Sequence, residues 1–151
     1  MPLPDIDHLW QDGTLPMVNG IVSQKNHVMP FTITGYGPER KILPGLAYDL
    51  NKFLSTDDAV LSSIGSLAEL ILKGRADVAK AICGEGSWGS DGFVVVLDDK
   101  DHIVWVAAFE CSNPFIQLIH RGDELIAVNN NDERWAFPLS NPDSFYIDIN
   151  N

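Results

Sequence analysis

Phe93-Val94-Val95-Val96-Leu97-Asp98-Asp99-Lys100-Asp101-His102-Ile103-Val104-Trp105-Val106-Ala107-Ala108-Phe109 decides the fold. Neither apolar run alternates with polar residues, so each needs cover on both faces, as a central strand does. The acidic connection Asp98-Asp99-Lys100-Asp101 is short and turn-forming, which makes the two runs antiparallel neighbours in one sheet.

Downstream the same grammar repeats. Phe115 to His120, Glu124 to Val128 and Arg134 to Phe137 read as strands, and Tyr146 to Ile149 adds a last one after the breaker Asn141-Pro142. Their connections, Ser112-Asn113-Pro114, Arg121-Gly122-Asp123 and Asn129 to Asp132, are of hairpin length and composition. Upstream, Val78 to Ile82 is a further strand. Ser66 and Glu69 form an S-x-x-E capping box, Leu67, Leu70 and Ile71 give an apolar face, and Gly74 stands where a C-terminal cap belongs, so a helix is expected over about residues 58–73. Lys41 to Leu54 fits either element, with strand favoured. Ile21 to Gln24 and Val28 to Thr34 form a hairpin turned at Asn26-His27 and ended by Gly35, Gly37 and Pro38. The first twenty residues, broken by Pro2, Pro4, Gly13, Pro16 and Gly20, form an arm without regular elements, anchored by Leu9 and Trp10. The expected fold class is α+β, mostly β. A single domain over residues 1–151 forms an antiparallel two-layer β-sandwich of about eight strands, or one bent sheet wrapped on the helix, with one main α-helix.

Charge is distributed unevenly. Residues 81–151 carry twelve carboxylates and three basic side chains, a net −9, whereas residues 1–80 carry nine and seven, a net −2. The total of −11 sets the chain against nucleic-acid phosphates and anionic lipid, so neither direct nucleic-acid binding nor membrane docking is expected. A surface of this kind suits a basic partner. The opening residues Met1 to Asp7 lack the basic and apolar regions of a secretory signal, and no apolar run is long enough to span a membrane, so a cytoplasmic protein is expected.

Candidate sites are few. Cys83 and Cys111 are too far apart in sequence for a redox CxxC or a zinc knuckle and read as buried thiols. Cys83, beside the flexible run Gly84 to Gly92, is taken as the more accessible, with Glu85 raising its pKa. His8, His27, His102 and His120 lack metal-ligand spacing, and Asp98, Asp99 and Asp101 lack the rest of a calcium loop. Neither a metal nor a cofactor is expected. Glu110, Cys111 and His120 end strands and could meet at one rim. Trp88, flanked by glycines and Glu85, has the composition of a protein-binding anchor, set against a core tryptophan reached by a bent loop. Trp135 follows carboxylates and amides at Asn129 to Arg134, where Arg134 can pair with Glu133 or Asp132. The charged pool for a partner is Glu85, Asp98, Asp99, Asp101, Asp123, Glu124, Asp132 and Glu133, with Trp88 and Trp135 as anchors. Because strands alternate in direction, these turns divide between two rims.

No G-x-S-x-G, H-E-x-x-H, P-loop or paired zinc motif is present, so an enzyme is not expected. In size, acidity and the hairpin-rich layout from Phe93 to Phe137, the whole chain is similar to the immunity proteins of contact-dependent growth inhibition and related polymorphic toxin systems in bacteria. The resemblance is one of profile, and no motif carries residues over. It implies a single cytoplasmic domain that binds and blocks a cognate toxin of nuclease type, whose basic groove an acidic patch would mask. Two other readings remain: a small-ligand or carbohydrate-binding sandwich using Trp88 and Trp135 as stacking platforms, and a cysteine-dependent enzyme. The sequence leaves a monomer and an edge-strand homodimer equally open.

Overall fold

The structure, a computed structural model, describes residues 4–35 and 39–148; Met1 to Leu3, Gly37, Pro38 and Ile149 lie outside the described residues. In chain order the elements are α1 (Ile6–Gln11), β1 (Thr14–Pro16), β2 (Gly20–Ser23), β3 (His27–Thr34), β4 (Lys41–Pro44), β5 (Tyr48–Asp49), α2 (Leu50–Leu54), β6 (Leu61–Ser63) and β7 (Gly65–Ile71). There follow β8 (Lys80–Glu85), β9 (Gly92–Leu97), β10 (Ile103–Phe109), β11 (Phe115–Arg121), β12 (Glu124–Asn129), β13 (Arg134–Pro138) and β14 (Tyr146–Asp148). A large sheet runs β4-β3-β2-β10-β9-β8-β7, with β5 paired to β3. A second sheet runs β11-β12-β13-β14, and β1 and β6 form a two-stranded ribbon. Neighbouring strands are antiparallel throughout the two sheets.

The alternation of side chains along the central strands builds two cores. Val94 and Val96 of β9, with Trp105, Ala107 and Phe109 of β10, face the second sheet and pack with Phe115, Leu125, Ala127, Trp135 and Phe137. Phe93, Val95 and Leu97, with Val106 and Ala108, face the other way, onto Ile6 and Leu9 of α1, Leu15 of β1, Met17 and Leu50 of α2. A bulge between Ile103 and Trp105 changes the parity of β10, so Ile103 joins this second core. The central, doubly covered strands read from the sequence are thus present. The protein is a mostly β, sandwich-like fold with two short α-helices among the described residues.

Several expectations need correction. Residues 58–73 form no helix; most of that stretch is β6 and β7. Ala68 and Leu70 turn toward the core while Leu67, Glu69 and Ile71 face out, so the two-residue period of the strand splits the apolar face read for a helix and leaves Leu67 and Ile71 exposed. What decides between the periods is the ladder from Gly65↔Glu85 to Ile71↔Lys80, which satisfies the edge of β8. Tertiary pairing overrides a local capping signal. Gly74, with φ +85, serves the β7–β8 connection instead of a helix cap. The cover assigned to that helix comes from α1, α2 and the β1–β6 ribbon. The N-terminal arm does hold a helix, because its breakers lie at the ends: Pro4 precedes the cap Asp5, and Gly13, with φ +78, follows the last turn. Lys41 to Leu54 contains both elements, β4 and β5 and then α2. Ser112-Asn113-Pro114 is not a hairpin turn: β10 and β11 lie in different sheets, and this segment carries the chain from one layer to the other. No helix among the described residues is long and apolar enough to cross a membrane.

Candidate functional site

The strand registers sort the acidic connections onto two rims. Paired ends such as Glu85↔Gly92 and Phe109↔Gly92, joined by Phe115↔Asn129, place residues 86–91, 110–114 and 130–133 at one rim. Hydrogen bonds then fuse these segments: the Asn113 amide donates to the Ser90 carbonyl at 2.8 Å, Asn130 to Pro114 at 3.1 Å, and Ser90 Oγ to the Glu110 carbonyl at 3.1 Å. Residues 98–102, 72–79 and 122–123 lie at the opposite rim, tied by the ion pairs Lys80–Asp101, at 3.1 Å, and Arg75–Asp123. Glu85, Trp88, Asp132, Glu133 and Trp135 therefore belong to the first rim, and Asp98, Asp99, Asp101, Asp123 and Glu124 to the second.

The second rim is acidic in composition but largely satisfied within the chain. Asp98 Oδ1 accepts from the amides of His102 and Lys100, each at 2.9 Å, and these bonds, that of His102 foremost, hold its carboxyl below the usual range. Asp101 pairs with Lys80, Asp123 with Arg75 and the Ser140 hydroxyl, and Glu124 accepts from Tyr146 at 2.7 Å. Of the five carboxylates predicted there, only the Asp99 side chain has neither a hydrogen bond nor an ion pair among the described residues. A cleft of about 500 Å³ above this end holds Lys80, Lys100 and His102 beside Trp10, and its lysine at position 80 is already committed to Asp101.

The first rim is built around Trp88, whose exposure is 70%. The segment carrying it is not the flexible run expected from its glycines. Asp91 is fully buried, accepts from the Gly86 amide at 3.1 Å and takes the Ser62 hydroxyl at 3.2 Å. Ser62, also fully buried, accepts from the Ser87 amide at 2.8 Å and pairs with its hydroxyl at 2.9 Å. A Cβ on Gly86 would collide with the Asp91 carboxylate and stand 2.6 Å from Ser62 Oγ, so this close approach requires glycine. Both flanks of the loop are thus pinned, from Gly86-Ser87 on one side and Ser90-Asp91 on the other, and Trp88 and Gly89 form the projecting tip. Ser62 and Asp91, both missed as site residues, are visible in sequence only as an ordinary serine and one more aspartate.

Trp135 and Glu133 are corrected as partner-binding residues. Trp135 is fully buried, stacked on Phe145 with the ring planes 7° apart and centroids 5.8 Å apart, and it offers no face to a partner or a sugar. Glu133 pairs not with Arg134 but with Arg40, at 3.0 Å, with side-chain exposures of 12% and 10%. Burial would raise the Glu133 carboxyl; the hydrogen bonds from Arg40, Asn129 and Trp135 outweigh it and hold the group below its ordinary value. Asn129, fully buried, accepts from the amides of Asn131 and Glu133 and donates to the Ser112 carbonyl, which fixes this turn.

Cys83 is buried as read, but the accessibility ranking of the two cysteines is reversed. Cys83 is buried in the core, where desolvation, not Glu85, pushes its thiol up to about 12, and Cys111 is exposed. Burial of its surroundings raises the Cys111 thiol as well. His120 stands at the far end of β11 from Cys111, bonded to the Gly122 carbonyl at 2.9 Å, so no Glu/Cys/His group forms. Beside Cys111 the rim opens into a cleft of about 550 Å³ whose wall includes Ile33, Ser90, Asn113, Asn131 and Glu110.

No protein-family model matches the chain, and neither a curated protein nor a solved structure matches it.

Proposed function

We propose that the chain is a protein-binding inhibitor, an immunity protein that neutralises a cognate, basic, nuclease-type toxin domain by docking over its active site through the Trp88 rim. The observation that carries the reading is the 70% exposure of Trp88 on a loop pinned by the buried Asp91 and Ser62. Tryptophans are favoured interface anchors, and a loop ordered before the encounter loses little entropy on binding. A buried carboxylate has a desolvation cost, and here its hydrogen bonds go to the loop that displays an aromatic ring. The net charge of −11 adds attraction to a basic domain and accelerates the encounter.

Co-expression with the toxin encoded beside this gene is the test. Protection of the cells, lost in Trp88→Ala, together with affinity that falls as salt rises, is the expected result. Full protection by Trp88→Ala, or protection against no neighbouring gene product, overturns the reading.

A further inference from the structure

The cleft beside Cys111 has an electrostatic asymmetry that the Trp88 anchor does not use. Its one guanidinium, Arg40, is spent within the chain: Nε and Nη2 grip Glu133 at 3.1 and 3.0 Å, and Nη1 donates to the Gly35 carbonyl at 3.3 Å. Glu133 is balanced by the same contact. Glu110 is different. One of its carboxylate oxygens accepts from Asn19 Nδ2 at 2.8 Å, its side chain is exposed, and no described cation stands within ion-pair distance of it. The Asn19 side chain also accepts from the Glu110 amide at 2.8 Å, so the carboxylate is held in place at both ends of its residue. Cys111, next in sequence, is an exposed thiol whose pKa is raised by partial desolvation, and it adds no second charge. Among the described residues the cleft wall therefore carries an unbalanced carboxylate, no free cation and about 550 Å³ of space, which disfavours an anionic occupant and suits a cationic one.

We propose that this cleft receives an arginine side chain from a basic segment of the partner, with Glu110 as the group that recognises the guanidinium and Trp88 anchoring the same partner on the adjoining loop. The inference deepens the proposed inhibitor function and rests on it for the identity of the partner. A planar guanidinium presents two parallel donors to a carboxylate, so arginine is preferred over lysine, whose ammonium is a point charge. Ser90 lines the cleft and bonds to the Glu110 carbonyl, so the Trp88 loop and the cleft are one continuous piece of rim.

The test uses the whole chain and N-acetyl-L-argininamide, with the uncharged N-acetyl-L-citrullinamide as control, read by amide chemical shifts. Saturable shifts at Ser90, Cys111 and Asn113 with the arginine probe alone are expected. Glu110→Gln, which keeps the oxygen that accepts from Asn19, weakens them about tenfold. Asp99→Asn, on the opposite rim, leaves them unchanged. Equal shifts from the citrulline probe, shifts spread over both rims, or equal losses in the two variants overturn the proposal. Toxin protection that depends on Trp88, with an arginine probe that ignores the cleft, overturns this inference and leaves the inhibitor function standing. The opposite pair of results overturns the inhibitor function alone.

Discussion

Residues 84–92 and 129–135 are alike on paper: each is a hairpin connection with carboxylates, small or amide residues and a tryptophan. The structure gives them opposite fates, with Trp88 exposed to 70% and Trp135 fully buried. The cause is position relative to the strand. Trp135 is the second residue of β13, paired with Ala127 and Ile147, and the alternation of the sheet directs it between the layers. Trp88 lies beyond the last ladder pair, Glu85↔Gly92, where no pleat governs it. The carboxylates diverge with the rings. Glu133 turns inward to Arg40 and the Trp135 indole, whereas Asp91 turns inward to hold backbone and leaves its tryptophan outside.

Trp135→Ala removes a side chain packed against Phe109, Phe115 and Phe145 and should cost about 3–5 kcal/mol in urea unfolding. A loss below about 1 kcal/mol would mean the ring is not core. Glu133→Ala strands Arg40 at 10% exposure and should also cost about 3–5 kcal/mol, measured the same way. The pH dependence has a defined sign. The Glu133 carboxyl is depressed in the folded state, so its contribution is present above the unfolded value of about 4.3 and disappears as pH falls through the lower folded value. Stability of the wild type should therefore drop more steeply below about pH 5 than that of Glu133→Gln, and parallel acid limbs would refute the assignment.

At the exposed hairpin the effects are smaller and local. Asp91→Ala should speed hydrogen exchange of the Gly86 amide about tenfold or more, since its acceptor is gone; unchanged exchange would show that the loop is held by something else. Alkylation should mark Cys111 in the folded protein and reach Cys83 only after unfolding, and simultaneous labelling would contradict the burial of Cys83. The smallest effect belongs to Trp88→Ala, which should shift stability by no more than about 0.5 kcal/mol while abolishing protection against the toxin.

Much of the sheet was legible because burial and strand period write directly into sequence. Phe93 to Leu97 and Val104 to Phe109 could only be central, and Arg121-Gly122-Asp123 could only be a hairpin. Residues 58–73 misled because Leu67, Leu70 and Ile71 fit a helical face better than a strand, and the partner that overrides that pattern, β8, is supplied by the fold. Ser112-Asn113-Pro114 misled for a related reason: a short connection constrains distance, and two stacked layers are as near as two paired strands. At the rim, the aromatic and glycine content around Trp88 was readable from composition. Ser62 and Asp91 were not, since a hydrogen bond across 29 positions leaves no local pattern.

Hydrophobic patterning and charge are properties of residues, so a mostly β chain, two doubly covered central strands and an acid-rich second half were already written in the amino-acid order. Where that charge lies was set by packing and strand register. The tertiary structure placed Asp98, Asp101, Asp123 and Glu124 on a rim that satisfies them, and buried Trp135 and Glu133. It also pinned the glycine-rich loop so that Trp88 projects beside Glu110. Those outcomes depend on which distant groups come within about 3 Å of one another, and that distance is set by packing and register.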